Sequence, residues 1–303
     1  MINNLSKPKI IVILGPTASG KSNLAVQLAK KFKGEIISAD SRQVYKGLNI
    51  GSGKITKKEM QGIPHYLLDV ASPKHTFTVS QYQKLAGKAI KKILKKGKIP
   101  IICGGTGFYI DALIYNYKLP EVPPQPKLRK ELEKKSTDVL FKQLKKLDPV
   151  RAKNIDKFNK RRLIRALEIV LTTKKPVPIL FTSLSGSKQN YDVLFIGTKK
   201  TQEELKKLIA KRLKKRLKNG MIEEIEKLHK QGVSWERLES FGLEYRFIAK
   251  YLQNKINYEE MKNLIQKESE HYAKRQMTWF KRNKNINWIE SYKQTGKLIN
   301  NFL

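Results

Sequence analysis

Residues 15–22, GPTASGKS, match the spacing G-x-x-x-x-G-K-[ST] between a strand-like run and a helix-like run. Glycines at such positions let backbone N–H groups wrap a diphosphate, and the helix that follows adds partial positive charge at its N-terminus. Gly15, Thr17, Ala18, Ser19, Gly20, Lys21 and Ser22 are therefore the candidate diphosphate contacts, with Lys21 reaching an outer phosphate and Ser22 able to ligate Mg²⁺. ATP, GTP and a prenyl diphosphate would all fit such a cradle. A motor ATPase or GTPase normally adds an acidic residue at the end of a later strand, but the run 99–103 ends in Cys103 and two glycines. The acidic residue is instead Asp40, within DSRQ at 40–43.

The elements that must position these groups can be read from periodicity. Runs 9–14 and 99–103 have the apolar character of strands buried on both faces of a parallel sheet, and 35–39 (EIISA) reads as a further strand between them. A helix is expected from Lys21 to about Phe32, and Thr78 with Gln81 reads as a capping box opening another that runs until Gly97. Three strands thus end in the loop 15–22, in Asp40 and in Gly104-Gly105-Thr106-Gly107, and in open α/β sheets ligands bind beyond the carboxyl ends of the strands. After a proline-rich stretch at 119–126 the sequence is helical and Lys-rich. A strand is expected to return at 191–197, with helix from there to the C-terminus.

The chain has 303 residues and a formal charge of +37, which excludes an ordinary near-neutral metabolic enzyme and favours a polyanionic partner, unless the lysine excess is compositional background. Apolar residues make up 40%, enough to bury a core. No apolar run approaches the roughly 18 residues of a membrane span, so a soluble, cytoplasmic protein with no membrane partner is expected. A single cysteine and four histidines without ligand spacing leave Mg²⁺ held by oxygen as the expected metal. Between Lys199 and Lys218, 10 of 20 residues are basic. At ~100° per residue Arg212 and Arg216 nevertheless fall within the arc of Leu208, Ile209, Leu213 and Leu217, where a guanidinium needs an anion: a diphosphate, or the carboxylate of a buried ion pair.

The segments GPTASGKS (15–22), ADSRQVYKGLNIG (39–51), PHYLLDV (64–70), GGTGFYI (104–110), RRLIRALEI (161–169) and YAKRQMTWFKR (272–282), in this order, resemble the tRNA dimethylallyltransferase (tRNA isopentenyltransferase) family over nearly the whole chain. The resemblance implies an α/β fold: a P-loop NTPase-like parallel sheet core (1–116 and 191–303) with a helical C-terminal region and a helical tRNA-binding insertion domain (117–190). It also implies transfer of a dimethylallyl group from dimethylallyl diphosphate to the exocyclic N6 amine of the adenosine 3′ of the anticodon, with Mg²⁺, by a monomer without an obligate protein partner. Asp40 would be the general base, with a Mg²⁺-side or capping carboxylate as its alternative; Thr106 and Arg212 complete the catalytic set. Ser41, Arg42 and Gln43 would position the extruded adenosine. The anticodon stem-loop would meet Arg161, Arg162, Leu163, Ile164 and Arg165, then Phe241, Gly242, Tyr245 and Arg246, and Arg275. Lys274, Lys281 and Arg282 with Trp279 and Phe280 form either a stacking surface or a helix turned into the core. Arg216 and Glu244 both depart from the residues more frequent in the family. The competing readings are a P-loop small-molecule kinase, in which the cradle holds ATP, and a non-catalytic RNA-binding module.

Overall fold

The computed structural model describes residues 7–178, 190–289 and 292–303. Six strands form one parallel sheet: β1 (Lys9–Leu14), β2 (Gly34–Ser38), β3 (His65–Tyr66), β4 (Ile99–Gly104), β5 (Asp192–Thr198) and β6 (Ile286–Ile289), in the order β3-β2-β4-β1-β5-β6. Their register brings the carboxyl ends level: Leu14 lies opposite both Gly104 and Gly197, and Cys103 opposite both Ile13 and Ser38. β1 and β4 carry unbroken apolar runs because both their faces are buried.

Helix α1 (Lys21–Lys31) packs Leu24, Ala25, Leu28 and Ala29 against Ile11, Ile13 and Ile101 of the sheet. After α2 (Lys57–Met60), α3 (Val79–Lys95) opens on Thr78 and Gln81 with both halves of the capping box formed. Glu35 of β2 is buried and accepts bonds from Lys98, Lys96 and Tyr66, tying β2 to β3 and to the turn between α3 and β4. Burial alone would raise this carboxyl, but those bonds outweigh it and hold Glu35 down at about 2. Helix α4 (Gly107–Ile114) follows the glycine-threonine turn.

Residues Tyr117–Ser187 make a separate unit from Met1–Asn116 with Lys188–Leu303. It holds α5 (Pro126–Glu133), α6 (Thr137–Leu147), α7 (Pro149–Lys153) and α8 (Lys160–Thr173), packed on Leu132, Leu140, Leu144, Leu163 and Leu167. Its buried Glu168 accepts from Arg129, Arg165 and the Gln125 amide. The segment 179–189, up to the expected return of the chain, lies outside the described residues.

Beyond β5 come α9 (Gln202–Lys218), α10 (Met221–Lys230), α11 (Trp235–Phe241), α12 (Leu243–Leu252), α13 (Tyr258–Phe280) and α14 (Tyr292–Phe302). Leu213, Met221, Ile225, Phe241, Tyr245 and Ile248 build a second core around Val44, Tyr45 and Leu48 of the segment after β2. The expectation of helix from there to the C-terminus is corrected at Ile286–Ile289, where INWI pairs in parallel with β5. Four residues hold barely one helical turn, so only the strand beside them decides their state. β3, two residues long, was invisible for the same reason. Among the described residues no helix is long and apolar enough to cross a membrane.

Candidate active site at the carboxyl ends of the strands

The loop between β1 and α1 turns with Ala18 and Gly20 both left-handed, at φ 62° and 85°, so that Gly20 precedes the first turn of α1 without a side chain over its amides. Ser19 Oγ shares a buried hydrogen bond of 2.7 Å with Thr198 Oγ1 at the end of β5. Lys21 Nζ donates to the Pro16 carbonyl at 3.0 Å. Burial holds this ammonium below the ordinary lysine range, with Cys103 and Asp40 pulling in the opposite direction. The neighbouring Cys103 thiol is pushed up to about 11 by burial, which keeps it protonated and out of nucleophilic chemistry.

Asp40 follows the end of β2 after a single residue, Ala39. Its Oδ1 accepts from the Arg42 amide at 2.8 Å and the Gln43 amide at 3.3 Å, leaving Oδ2 outside both bonds. The Thr106 amide donates to the Ala39 carbonyl (3.1 Å), and Thr106 Oγ1 accepts from the Ser41 amide (3.0 Å). The hydroxyl therefore laces one strand end to another instead of closing its own turn. Arg42 and Gln43 are bonded within the protein: Arg42 Nε donates to the Phe241 carbonyl (2.6 Å), while Gln43 accepts from Ser38 Oγ and donates to the Gly53 carbonyl. They brace the loop that carries Asp40.

Two side chains of α13 enter the same crevice, and the sequence reading assigned neither a role. Gln276, 6% exposed, accepts from the Thr17 amide with Oε1 and donates to the Gly105 carbonyl with Nε2, each at 2.8 Å, latching loop 15–22 to the glycine-threonine turn. Tyr272, one turn earlier, lies beside Thr106 and Asp40; burial, with the Asp40 charge, pushes its hydroxyl up to about 12. The available signal was their i, i+4 spacing, which puts a glutamine on the face of buried Phe280.

Arg212 Nη1 donates to Thr17 Oγ1 at 3.0 Å, so this arginine faces the loop. Arg216 instead pairs with Glu244, Nη1 to Oε1 at 2.9 Å, and also donates to the Gly51 carbonyl. Burial raises the Glu244 carboxyl, opposed by the Arg216 charge. Arg216 and Glu244, two of the residues read from the sequence as departures from the family pattern, are thus each other's partner.

The residues expected at RNA divide. Arg161, Arg162 and Arg275 are exposed, but Leu163 and Ile164 lie in the insertion's core and cannot present side chains to a partner, a correction that follows from the α8 stripe. Arg165 donates to Glu168 and to the Val122 carbonyl at 3.0 Å, which makes it part of that unit's internal wiring. Phe241 and Tyr245, each 2% exposed, are also corrected to core residues; the Tyr245 hydroxyl donates to Glu224. Gly242 takes φ 75° at the break between α11 and α12, and Arg246 Nε donates to the Glu239 carbonyl. Phe280 is buried and Trp279 Nε1 donates to Asp111 at 2.9 Å, so this end of α13 turns its aromatics inward. Among the described residues no group of three or more His, Cys, Asp or Glu could hold a metal ion.

The family model described as IPP transferase matches residues 43–283 of this chain. A tRNA dimethylallyltransferase of Clostridioides difficile (strain 630) is 40% identical over 305 residues, covering 99% of this chain and 97% of the relative. One from Thermoanaerobacter sp. (strain X514) is 41% identical, covering 97% and 96%. Among solved structures, the tRNA delta(2)-isopentenylpyrophosphate transferase of Staphylococcus epidermidis superposes with a TM-score of 0.73 at 38% identity, covering 98% of this chain and 100% of that one. A eukaryotic dimethylallyltransferase acting on tRNA reaches 0.76 at 30% identity, covering 90% of this chain and 70% of the other.

Proposed function

This chain belongs to the IPP transferase family, and from that membership we propose that it transfers a dimethylallyl group from dimethylallyl diphosphate to the exocyclic N6 amine of the adenosine 3′ of the anticodon in tRNA. The observation that carries the reading is the lacing of loop 15–22, Asp40 and Thr106 into one crevice by Gln276 and by the Ser41–Thr106 bond.

Breaking the bond between the allylic carbon and the diphosphate oxygen sends its electron pair to the leaving group. Lys21, Arg212 and the amides at the start of α1 are the groups suited to receive that charge. The adenine amine is a weak nucleophile whose N–H becomes acidic as the C–N bond forms. Asp40 Oδ2 then accepts that proton, while the two amides on Oδ1 hold the carboxylate still. Thr106, fixed by the Ser41 amide, would orient the amine. Ser22 offers one hydroxyl, a donor set that suits Mg²⁺ drawing its other ligands from diphosphate oxygens and water rather than a protein cage. When bound, the ion would neutralise charge on the leaving oxygens.

The RNA-facing charges in this reading are Arg161, Arg162 and Arg275, and we extend it to a monomer acting on tRNA in the cytoplasm. The kinase alternative is set aside, because the matching relatives are named as transferases to tRNA. Labelled dimethylallyl diphosphate, Mg²⁺ and unmodified tRNA should yield label in RNA. Absence of label, with ATP consumed on a small acceptor instead, would overturn the proposal.

A further inference from the structure

Arg216 lies one turn beyond Arg212 on α9, with its side chain 11% exposed. Its Nη1 is engaged by Glu244 and the Gly51 carbonyl, whereas Nη2 is buried and has no hydrogen-bond partner among the described residues. Gly53 shows where that nitrogen points. A Cβ on Gly53, itself left-handed at φ 61°, would collide with Nη2 of Arg216 and with Nη2 of Arg212 alike, so the two guanidinium ends converge on one stretch of backbone. The other nitrogen of Arg212 already touches Thr17 of the cradle.

Two half-buried guanidinium groups brought together repel unless an anion lies between or behind them. Glu244 stands behind Arg216 and offsets one charge. It does nothing for the free donor, which faces the Arg212 side. The loop carrying Gly53 is itself held rigid, because the Glu224 carboxylate accepts the amides of Asn49, Ile50 and Gly51 in succession. The convergence is therefore built into the fold and does not depend on a loose side chain.

We propose that Arg216 is a second guanidinium contact for the diphosphate of the allylic substrate, its Nη2 donating to a phosphate oxygen beside Arg212, and that Glu244 is the carboxylate that positions it. This rests on the diphosphate reading of loop 15–22. The charge that develops on the leaving oxygens is shared between two arginines, and diphosphate remains bound to both after transfer.

The probe is inorganic diphosphate with Mg²⁺, titrated calorimetrically into wild type, Arg216→Met, Glu244→Gln and the double variant Arg216→Met with Glu244→Met, with thermal melting of each. Arg216→Met should weaken diphosphate binding roughly tenfold to a hundredfold, the size of a lost charge-assisted hydrogen bond, with tRNA affinity unchanged. Arg216→Met alone leaves a buried carboxylate and should melt lower. The double variant should regain the melting temperature without regaining diphosphate affinity. Wild-type affinity in the double variant would overturn the proposal and reduce the pair to a structural ion pair. Wild type that binds neither diphosphate nor transfers label would instead sink the reading on which it rests.

Discussion

Among the described residues the two amides that hold Asp40 fall on the same oxygen, and this asymmetry separates anchoring of the loop from the proposed acceptance of a proton. Asn at this position keeps an oxygen able to accept the Arg42 and Gln43 amides but cannot take a proton. Asp40→Asn should therefore lower single-turnover transfer by at least about 100-fold, the scale of a lost general base, with tRNA affinity within a few-fold of wild type. Rapid-quench label transfer and filter binding measure the two quantities. Equal losses in both would make Asp40 a structural carboxylate. That Asp40 follows a strand was legible, because a short β-branched run ending in Asp is a local signal. That Arg216 pairs with Glu244 was not: the partners sit on α9 and α12, and helical phase names a buried face without naming its neighbour.

At the scale of elements, α13 closes the site by lending Gln276 to two loops, at Thr17 and Gly105, that are 88 residues apart in sequence. Gln276→Ala removes both bonds and leaves the Thr17 amide and the Gly105 carbonyl unmatched. It should cost about 1–3 kcal/mol of stability and weaken diphosphate binding more than tRNA binding, read by urea unfolding and by titration of each ligand. A second element-level joint is Glu35, whose pKa is lowered in the folded chain from 4.5 to about 2. The unfolded chain therefore binds the proton more readily, and the stability due to this joint is present above about pH 4.5 and fades as pH falls through about 2. Glu35→Gln should flatten that acid limb and destabilise the sheet edge by about 2–4 kcal/mol at neutral pH, less than for a fully buried pair because Lys96 and Lys98 are partly exposed. Acid and urea titrations of the two proteins provide the comparison.

For the molecule as a whole, the charge of +37 is far more than the site can use, and most of it lies on exposed helix faces. Arg161 and Arg162 are the test of whether position matters beyond total charge. Replacing both by Ala should weaken tRNA binding and reduce the slope of log affinity against log salt by roughly one to two. An unchanged slope would take them off the RNA face. Arg165 in the same run should behave differently, since its loss takes away one of the two guanidinium partners of the buried Glu168, leaving Arg129, and registers as instability of the insertion. The sequence by itself determined the glycine-rich loop 15–22, the three central strands, the acidic strand end and the family, because each is written in contiguous residues whose local geometry admits few alternatives. Only the tertiary structure decided that Leu163, Ile164, Phe241 and Tyr245 are core, that INWI is an edge strand, that Gln276 latches two loops, and that Glu244 answers Arg216. Each of these depends on which distant surface a side chain meets, and burial and hydrogen bonding across long sequence separations exist only once the chain has packed.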